Sequence, residues 1–289
     1  MAIGKAAMIT KKQIIFELES LLSLRGLVEV YEEVAATQMQ KVRGAVLQSR
    51  QFQEGLLAVF SRVKKAYLKQ QKTAKLHRVS NGRVVAVFVA ANSGLYGDIV
   101  DRVFDEFVEY VKKDKPDVVI LGKLGVSMME DKLPKFLYNY FDFSDKTVEQ
   151  ESFEMVIRYL IQFEKIVVFH GRFKTILSQD PSVTWVSGER LDQGEGGQEA
   201  RVETDYLFEP SVDDVAKVFE GEILASSFEQ TLHESQLAKF ASRMLALDRS
   251  VDNIEKRVEA VRRQGRKINH RLFNRGQLAT ISGISLWGK

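Results

Sequence analysis

The 289 residues are 45% hydrophobic and 28% charged, and 42 Lys and Arg stand against 39 Asp and Glu for a net charge of only +3, too weak a bias to argue for nucleic acid as a partner. Zero cysteines remove disulfides, thiolate metal ligands and a cysteine nucleophile together. No run approaches the 18 or so uncharged apolar residues of a membrane span, the longest being strand-length at 84–91, and residues 1–10 lack the pattern of a secretory signal. The expectation is a chain that is cytoplasmic or faces the cytoplasm.

From about residue 9 to 72 there is no proline, and apolar residues recur at three and four: Ile14, Leu18, Leu21, Val28, Tyr31, Ala35, Met39, Val42, Val46, Phe52, Leu56, Phe60, Val63 and Tyr67. This predicts one long amphipathic helix of ~90 Å at 1.5 Å per residue, with Gly26, Gly44 and Gly55 as candidate bends.

Residues 77–206 read as α/β. The runs 83–91, 117–122 and 165–171 are the short continuous apolar stretches of strands buried on both faces. A helix follows from Ile99, Val103, Phe107, Tyr110 and Val111, and a second from Val148, Phe153, Val156, Ile157, Leu160 and Ile161. Residues 184–187 suggest an edge strand and 191–198 a Gly-rich acidic loop. Strand, helix, strand in this order predicts a small Rossmann-like, doubly wound parallel sheet.

The final segment begins near Pro210 and Ser211, where Ser-Val-Asp-Asp supplies a helix start. Leu237, Phe240, Met244, Leu247, Val251, Ile254, Val258, Val261, Gly265, Ile268 and Leu272 then alternate by three and four, forming a coiled-coil seam with charged shoulders. Two long helices at opposite ends of the chain pair antiparallel only if the middle turns the chain around. The fold class is therefore α/β, with long N- and C-terminal coiled-coil helices (1–75 and 209–289) flanking the sheet domain (76–208).

Nucleotide chemistry is the first guess for such a sheet, and the turns do not carry it. Ala91-Asn-Ser-Gly-Leu-Tyr-Gly-Asp98 has neither the G-x-G-x-x-G spacing nor a P-loop, and Gly122-Lys-Leu-Gly125 lacks the upstream glycine and the following Ser or Thr. Both suit tight backbone geometry better than a phosphate. His77, His170, His233 and His270 share no metal-ligand spacing, and His170, though it follows a strand, has no catalytic partner in sequence. No catalytic, cofactor or metal residue is assigned. The one concentrated charge is Arg257, Arg262, Arg263, Arg266, Lys267, Arg271 and Arg275 against Glu259 alone, a solvated face or a surface for an acidic protein or nucleic acid.

Ala238-Lys-Phe-Ala-Ser-Arg-Met-Leu-Ala-Leu-Asp-Arg-Ser-Val-Asp-Asn253 resembles the Ser-Glu-x-x-x-Arg-Met-x-Ala-Met signature, with its following Asp-Asn, of the gamma subunits of F-type ATP synthases; Arg243, Met244, Ala246, Asp252 and Asn253 match. Phe208-Glu-Pro-Ser211, Ser93-Gly-Leu-Tyr-Gly97, Val119-Ile-Leu-Gly-Lys-Leu-Gly125, Val34-Ala-Ala-Thr-Gln-Met-Gln-Lys41 and Ile281-Ser-Gly283 are similar to further family segments, in family order across nearly the whole chain. Lys239 stands where the signature has Glu, Tyr96 where the family has Cys, and Leu247 for the second Met. The Lys-Ile-Thr-Lys-Ala-Met run of the first helix is replaced by residues 26–33, and the Arg-Gln pair near the shaft tip falls on Asn269 and His270, with Arg266 and Arg271 close by.

The resemblance implies a non-catalytic rotor shaft in a proton- or sodium-translocating ATP synthase, coupling rotation of a membrane ring to ATP chemistry. Its implied partners are the alpha and beta subunits of the catalytic hexamer, the epsilon subunit and the membrane c-ring, with no nucleic acid and no membrane span. It implies a peripheral place on the cytoplasmic face of the inner (plasma) membrane and no cofactor. The implied hexamer contacts are Arg243, Met244, Asp252, Asn253, Arg266, Asn269, His270 and Arg271, with Ile281, Leu286 and Trp287 in an apolar bearing at the tip. A specialised ATPase motor, a coiled-coil scaffold and a nucleic-acid-binding helical protein are the rival readings.

Overall fold

The computed structural model describes residues 11–70, 81–187, 209 and 211–287. The side chains of 62–70, 212, 213, 216, 217 and 283–287 lie outside that description, as does the acidic loop expected at 191–198. Helix α1 (Lys11–Gln70) runs as one 60-residue element, and Gly26, Gly44 and Gly55 do not interrupt it. Helix α5 (Val212–Trp287) runs for 76 residues. Its start is the expected one: the Ser211 hydroxyl receives the Asp214 N–H (3.1 Å) and donates to the Asp214 carboxylate (2.7 Å), which satisfies a donor that the first turn leaves free.

Between them lie β1 (Val84–Val89), α2 (Ile99–Asp114), β2 (Asp117–Leu121), α3 (Lys123–Lys132), β3 (Asn139–Phe141), α4 (Gln150–Leu160), β4 (Lys165–Phe173) and β5 (Gln179–Trp185). The sheet order is β3-β2-β1-β4-β5. The first four strands pair in parallel, whereas β5 runs antiparallel to β4, Val168 facing Thr184 and Phe169 facing Val183. The sheet is thus mixed, where a wholly parallel one was expected. The cause is a tight turn in which Lys174 and Thr175 N–H groups meet the Ser178 carbonyl, so the chain returns at once without a crossover helix. The edge strand expected at 184–187 occupies Gln179–Trp185, its polar first half and Pro181 hiding it from a hydrophobic pattern. Strand β3 and helix α3 were not anticipated: β3 is three residues and largely exposed, and Gly122 and Gly125 make the start of α3 resemble a loop.

Helices cover both faces of the sheet. On one, Ala86, Phe88, Val118, Ile120, Val167 and Phe169 meet the apolar stripe of α2, with Phe88 and Phe107 rings 5.3 Å apart and Phe107 and Phe169 edge to face at 5.4 Å. On the other, Val85, Val87, Leu121, Ile166 and Val168 meet Val156 and Leu160 of α4 and Leu224, Phe228 and Leu232 of α5. Continuous apolar strands are needed because neither face sees water.

Two compact units divide the chain, 35–245 and 1–34 with 246–289, so the boundary cuts both long helices. In the larger unit α1 and α5 pair antiparallel through Arg50 with Glu234 (2.7 Å), Gln53 with Ser227 (2.9 Å) and Phe60 with Phe219. In the smaller unit they also pair antiparallel: Arg25 meets Glu255, Arg257 meets Glu17, and Ile14 lies against Gly265. Val258 and Val261 are buried there and Ile254 and Ile268 half-buried, as the seam predicts; Leu272, beyond the first described turn of α1, is exposed.

Candidate functional site

The carboxyl ends of β1 and β2 open where a doubly wound sheet holds its ligands. Here the place is built from the protein's own groups. Gly122 has φ +100, and a Cβ there would stand 2.8 Å from the Ala91 backbone, so only glycine lets β2 turn into α3 against β1. Asn92 then ties the turn together: its side-chain oxygen receives the Lys123 N–H at the start of α3 (2.7 Å), and its amide donates to Asp142 (2.9 Å) and the Phe143 carbonyl (3.0 Å). That bond holds Asp142 below the usual carboxylate range.

The Asp145 carboxylate accepts the backbone N–H groups of Asn92 (2.9 and 3.0 Å) and Ser93 (3.1 Å) and the Ser93 hydroxyl (3.2 Å). The donors that such a loop presents to a phosphate are therefore engaged by an internal carboxylate. Opposite it, Lys239 of α5, 5% exposed, donates to the Ala90 carbonyl at 2.7 Å and stands 3.6 Å from Asp145 Oδ1. Burial pushes its pKa down, and the Asp145 charge opposes that shift.

One turn further along α5, Arg243 clasps the same loop. Its guanidinium donates to Ser93 Oγ (3.1 Å) and to the Gly94 and Leu95 carbonyls, and lies 3.9 Å over the Tyr96 ring. Leu95 holds the loop open at φ +68, a costly conformation for a leucine that these contacts support. Burial raises the Tyr96 phenol, with Arg243 opposing it. Beside this cluster, Lys146, Glu149 and Ser152 line an open cleft of about 450 Å³ together with Asn92 and Arg243.

Of the implied hexamer contacts, Arg243 is the one that, among the described residues, hydrogen-bonds a distant part of the chain. Met244 is half-buried on α5, while Asp252, Asn253, Arg266, Asn269, His270, Arg271 and Ile281 are exposed along it, and the side chains of Leu286 and Trp287 lie outside the described residues. His170 is buried with both ring nitrogens engaged, Nδ1 at the Gly171 carbonyl (3.0 Å) and Nε2 at Thr184 Oγ1 (2.8 Å), a structural histidine. His77 lies outside the description. Among the described residues no group of three His, Cys, Asp or Glu is placed to hold a metal, and no helix is long and apolar enough to cross a membrane.

Sequence reasoning missed Asp145, and saw Lys239 only as a departure from a pattern. The signal was present in the second case: a lysine between Leu237, Ala238 and Phe240 on an apolar seam must find a buried partner.

The sequence model described as ATP synthase matches residues 10–269. An ATP synthase gamma chain of Halothermothrix orenii is 21% identical over 250 residues, covering 84% of this chain and 87% of that protein. The gamma chain of Desulforudis audaxviator is 21% identical over 295 residues, covering 93% and 96%. Among solved structures, the rotor of the Euglena gracilis mitochondrial ATP synthase superposes with a TM-score of 0.63 at 14% identity over 91% of this chain and 98% of that one. A chain of the Tetrahymena thermophila mitochondrial ATP synthase central stalk and c-ring superposes at 0.57 with 17% identity, over 78% and 99%. These structural likenesses establish the shared fold: two long helices closed by one small sheet domain. With a family match spanning both long helices and the sheet between them, the chain belongs to the ATP synthase family, as a divergent member of its gamma-chain type.

Proposed function

We propose that this chain is the central shaft of a rotary ATP synthase: it turns inside a hexamer of alpha and beta subunits, carries no catalytic site, and couples their ATP chemistry to an ion-translocating ring. The observation that carries the reading is the antiparallel pairing of α1 and α5 in both units, on helices of 60 and 76 residues, within a family match that runs nearly end to end. Helices this long are far more than a small sheet needs as a cover, and structural neighbours from a rotor and a central stalk fit a shaft.

In chain order the shaft helices occupy 1–75 and 209–289 and the sheet domain 76–208. The exposed faces at Asp252, Asn253, Arg266, Asn269, His270 and Arg271 are hexamer contacts, and Arg266 and Arg271 take over the work of the Arg-Gln pair. Arg243 and Met244 act at the base, and Ile281, Leu286 and Trp287 turn in an apolar collar. The sheet domain meets the epsilon subunit and the c-ring. The ring carries protons or sodium ions across the membrane, and this chain sits peripherally at its cytoplasmic face. An asymmetric shaft gives each catalytic site different contacts, so it biases their nucleotide states.

Affinity purification of the chain from its native cells in moderate salt, followed by mass spectrometry, tests this reading. Two nucleotide-binding partners in about threefold excess support it. Recovery of the chain alone or with nucleic acid overturns it.

A further inference from the structure

We propose that the Asp145–Lys239 pair, with Arg243 on the loop beside it, is the clamp through which turning force passes between the sheet domain and α5; this rests on the shaft reading above. Around the pair, α5 meets the sheet domain through Leu237, Ala238 and Phe240, all buried. Apolar contact of that kind is non-directional: a helix rolled or slid by a fraction of a turn finds new apolar neighbours at small cost. An ammonium with only 5% exposure has no such freedom. Its partners are the Ala90 carbonyl at the end of β1 and the Asp145 carboxylate, and that carboxylate is itself fixed by two N–H groups and a hydroxyl of the loop after β1. Rolling α5 would leave both charges buried and uncompensated.

Buried ion pairs contribute little net stability compared with apolar replacements, so stability alone gives no reason for one here. Fixing one rotational setting of the helix does. Arg243, four residues on and so on the same face, holds the next residues of the loop through the Gly94 and Leu95 carbonyls and shares the Ser93 hydroxyl with Asp145. Contacts at 239 and 243 resist roll and slide together. The pair and Arg243 are positioning residues, and they touch no nucleotide.

The test uses the whole membrane complex with the wild-type chain, with Lys239→Met and with the neutral pair Lys239→Met/Asp145→Asn. ATP hydrolysis without an ion gradient, ion pumping followed with a membrane-potential dye, and rotation against viscous load are measured together. Expected is that both variants assemble and hydrolyse ATP without load, while pumping per ATP falls about fivefold and rotation slips under load. Wild-type pumping and torque from the neutral pair would overturn the clamp. If neither variant assembles, the pair acts in folding and the clamp is likewise overturned. If the wild-type chain itself forms no rotary complex, the shaft reading falls first, a result distinct from both.

Discussion

Lys239 Nζ donates to the Ala90 carbonyl at 2.7 Å and faces Asp145 Oδ1 at 3.6 Å, so a residue late in the chain closes the end of the first strand with a buried charge. Removing one member of the pair strands the other. Asp145→Ala leaves the ammonium without its counter-charge and the Asn92 and Ser93 N–H groups without an acceptor, and a loss of about 3 kcal/mol or more is expected. Lys239→Met combined with Asp145→Asn recovers most of that loss, because neither charge remains to be compensated. Urea unfolding of the wild type and these two variants reads both numbers.

Arg243→Ala removes three hydrogen bonds and the stacking on Tyr96 at once. A loss of about 1–2 kcal/mol is expected. Lys at this position restores little, because a point charge cannot cover a ring and reach two carbonyls together. The check is the thermal midpoint of Arg243→Ala beside that of Arg243→Lys.

Glycine substitutions should split by site. At Gly122, Ala places a Cβ 2.8 Å from the Ala91 backbone at φ +100, and a loss of about 2 kcal/mol or more follows. At Gly44, exposed on α1 with nothing near its missing Cβ, Ala adds about 0.5–1 kcal/mol through helix propensity. Opposite signs in denaturant melts would confirm the two roles.

His170 is buried neutral, and burial holds its pKa below the ordinary 6.5. Below that value the unfolded chain binds a proton that the folded one resists, so its contribution to stability is complete above pH 6.5 and is lost as the pH falls through and below it. His170→Gln lacks this titration. The stability gap between wild type and variant should narrow from pH 7.5 to about pH 5, measured by thermal unfolding at matched ionic strength; a constant gap would exclude the buried imidazole as its source.

The long helices were legible residue by residue. Apolar spacing from Ile14 through Phe60 and from Leu237 through Ile268 carries their period, and Ser211 with Asp214 marks the start of α5. Strands β1, β2 and β4 announced themselves because burial on both faces demands unbroken apolar runs. Short-range information of this kind is a property of the chain alone. The direction of β5 depended on a turn at residues 174–178 with no glycine or asparagine to betray it, and β3 on an edge position that asks little of three residues.

The cluster at Asp145 was beyond a sequence reading for a different reason. Asp145 looks like any loop acid until the sheet brings it within 3.1 Å of the Ser93 N–H and 3.6 Å of a lysine 94 positions away (239 − 145). Local propensity and hydrophobic period set the helices, the strands and the order of the fold. Which charges were buried, and what compensated them, was decided only by tertiary structure, because a desolvated charge takes its identity from neighbours that the chain order does not supply.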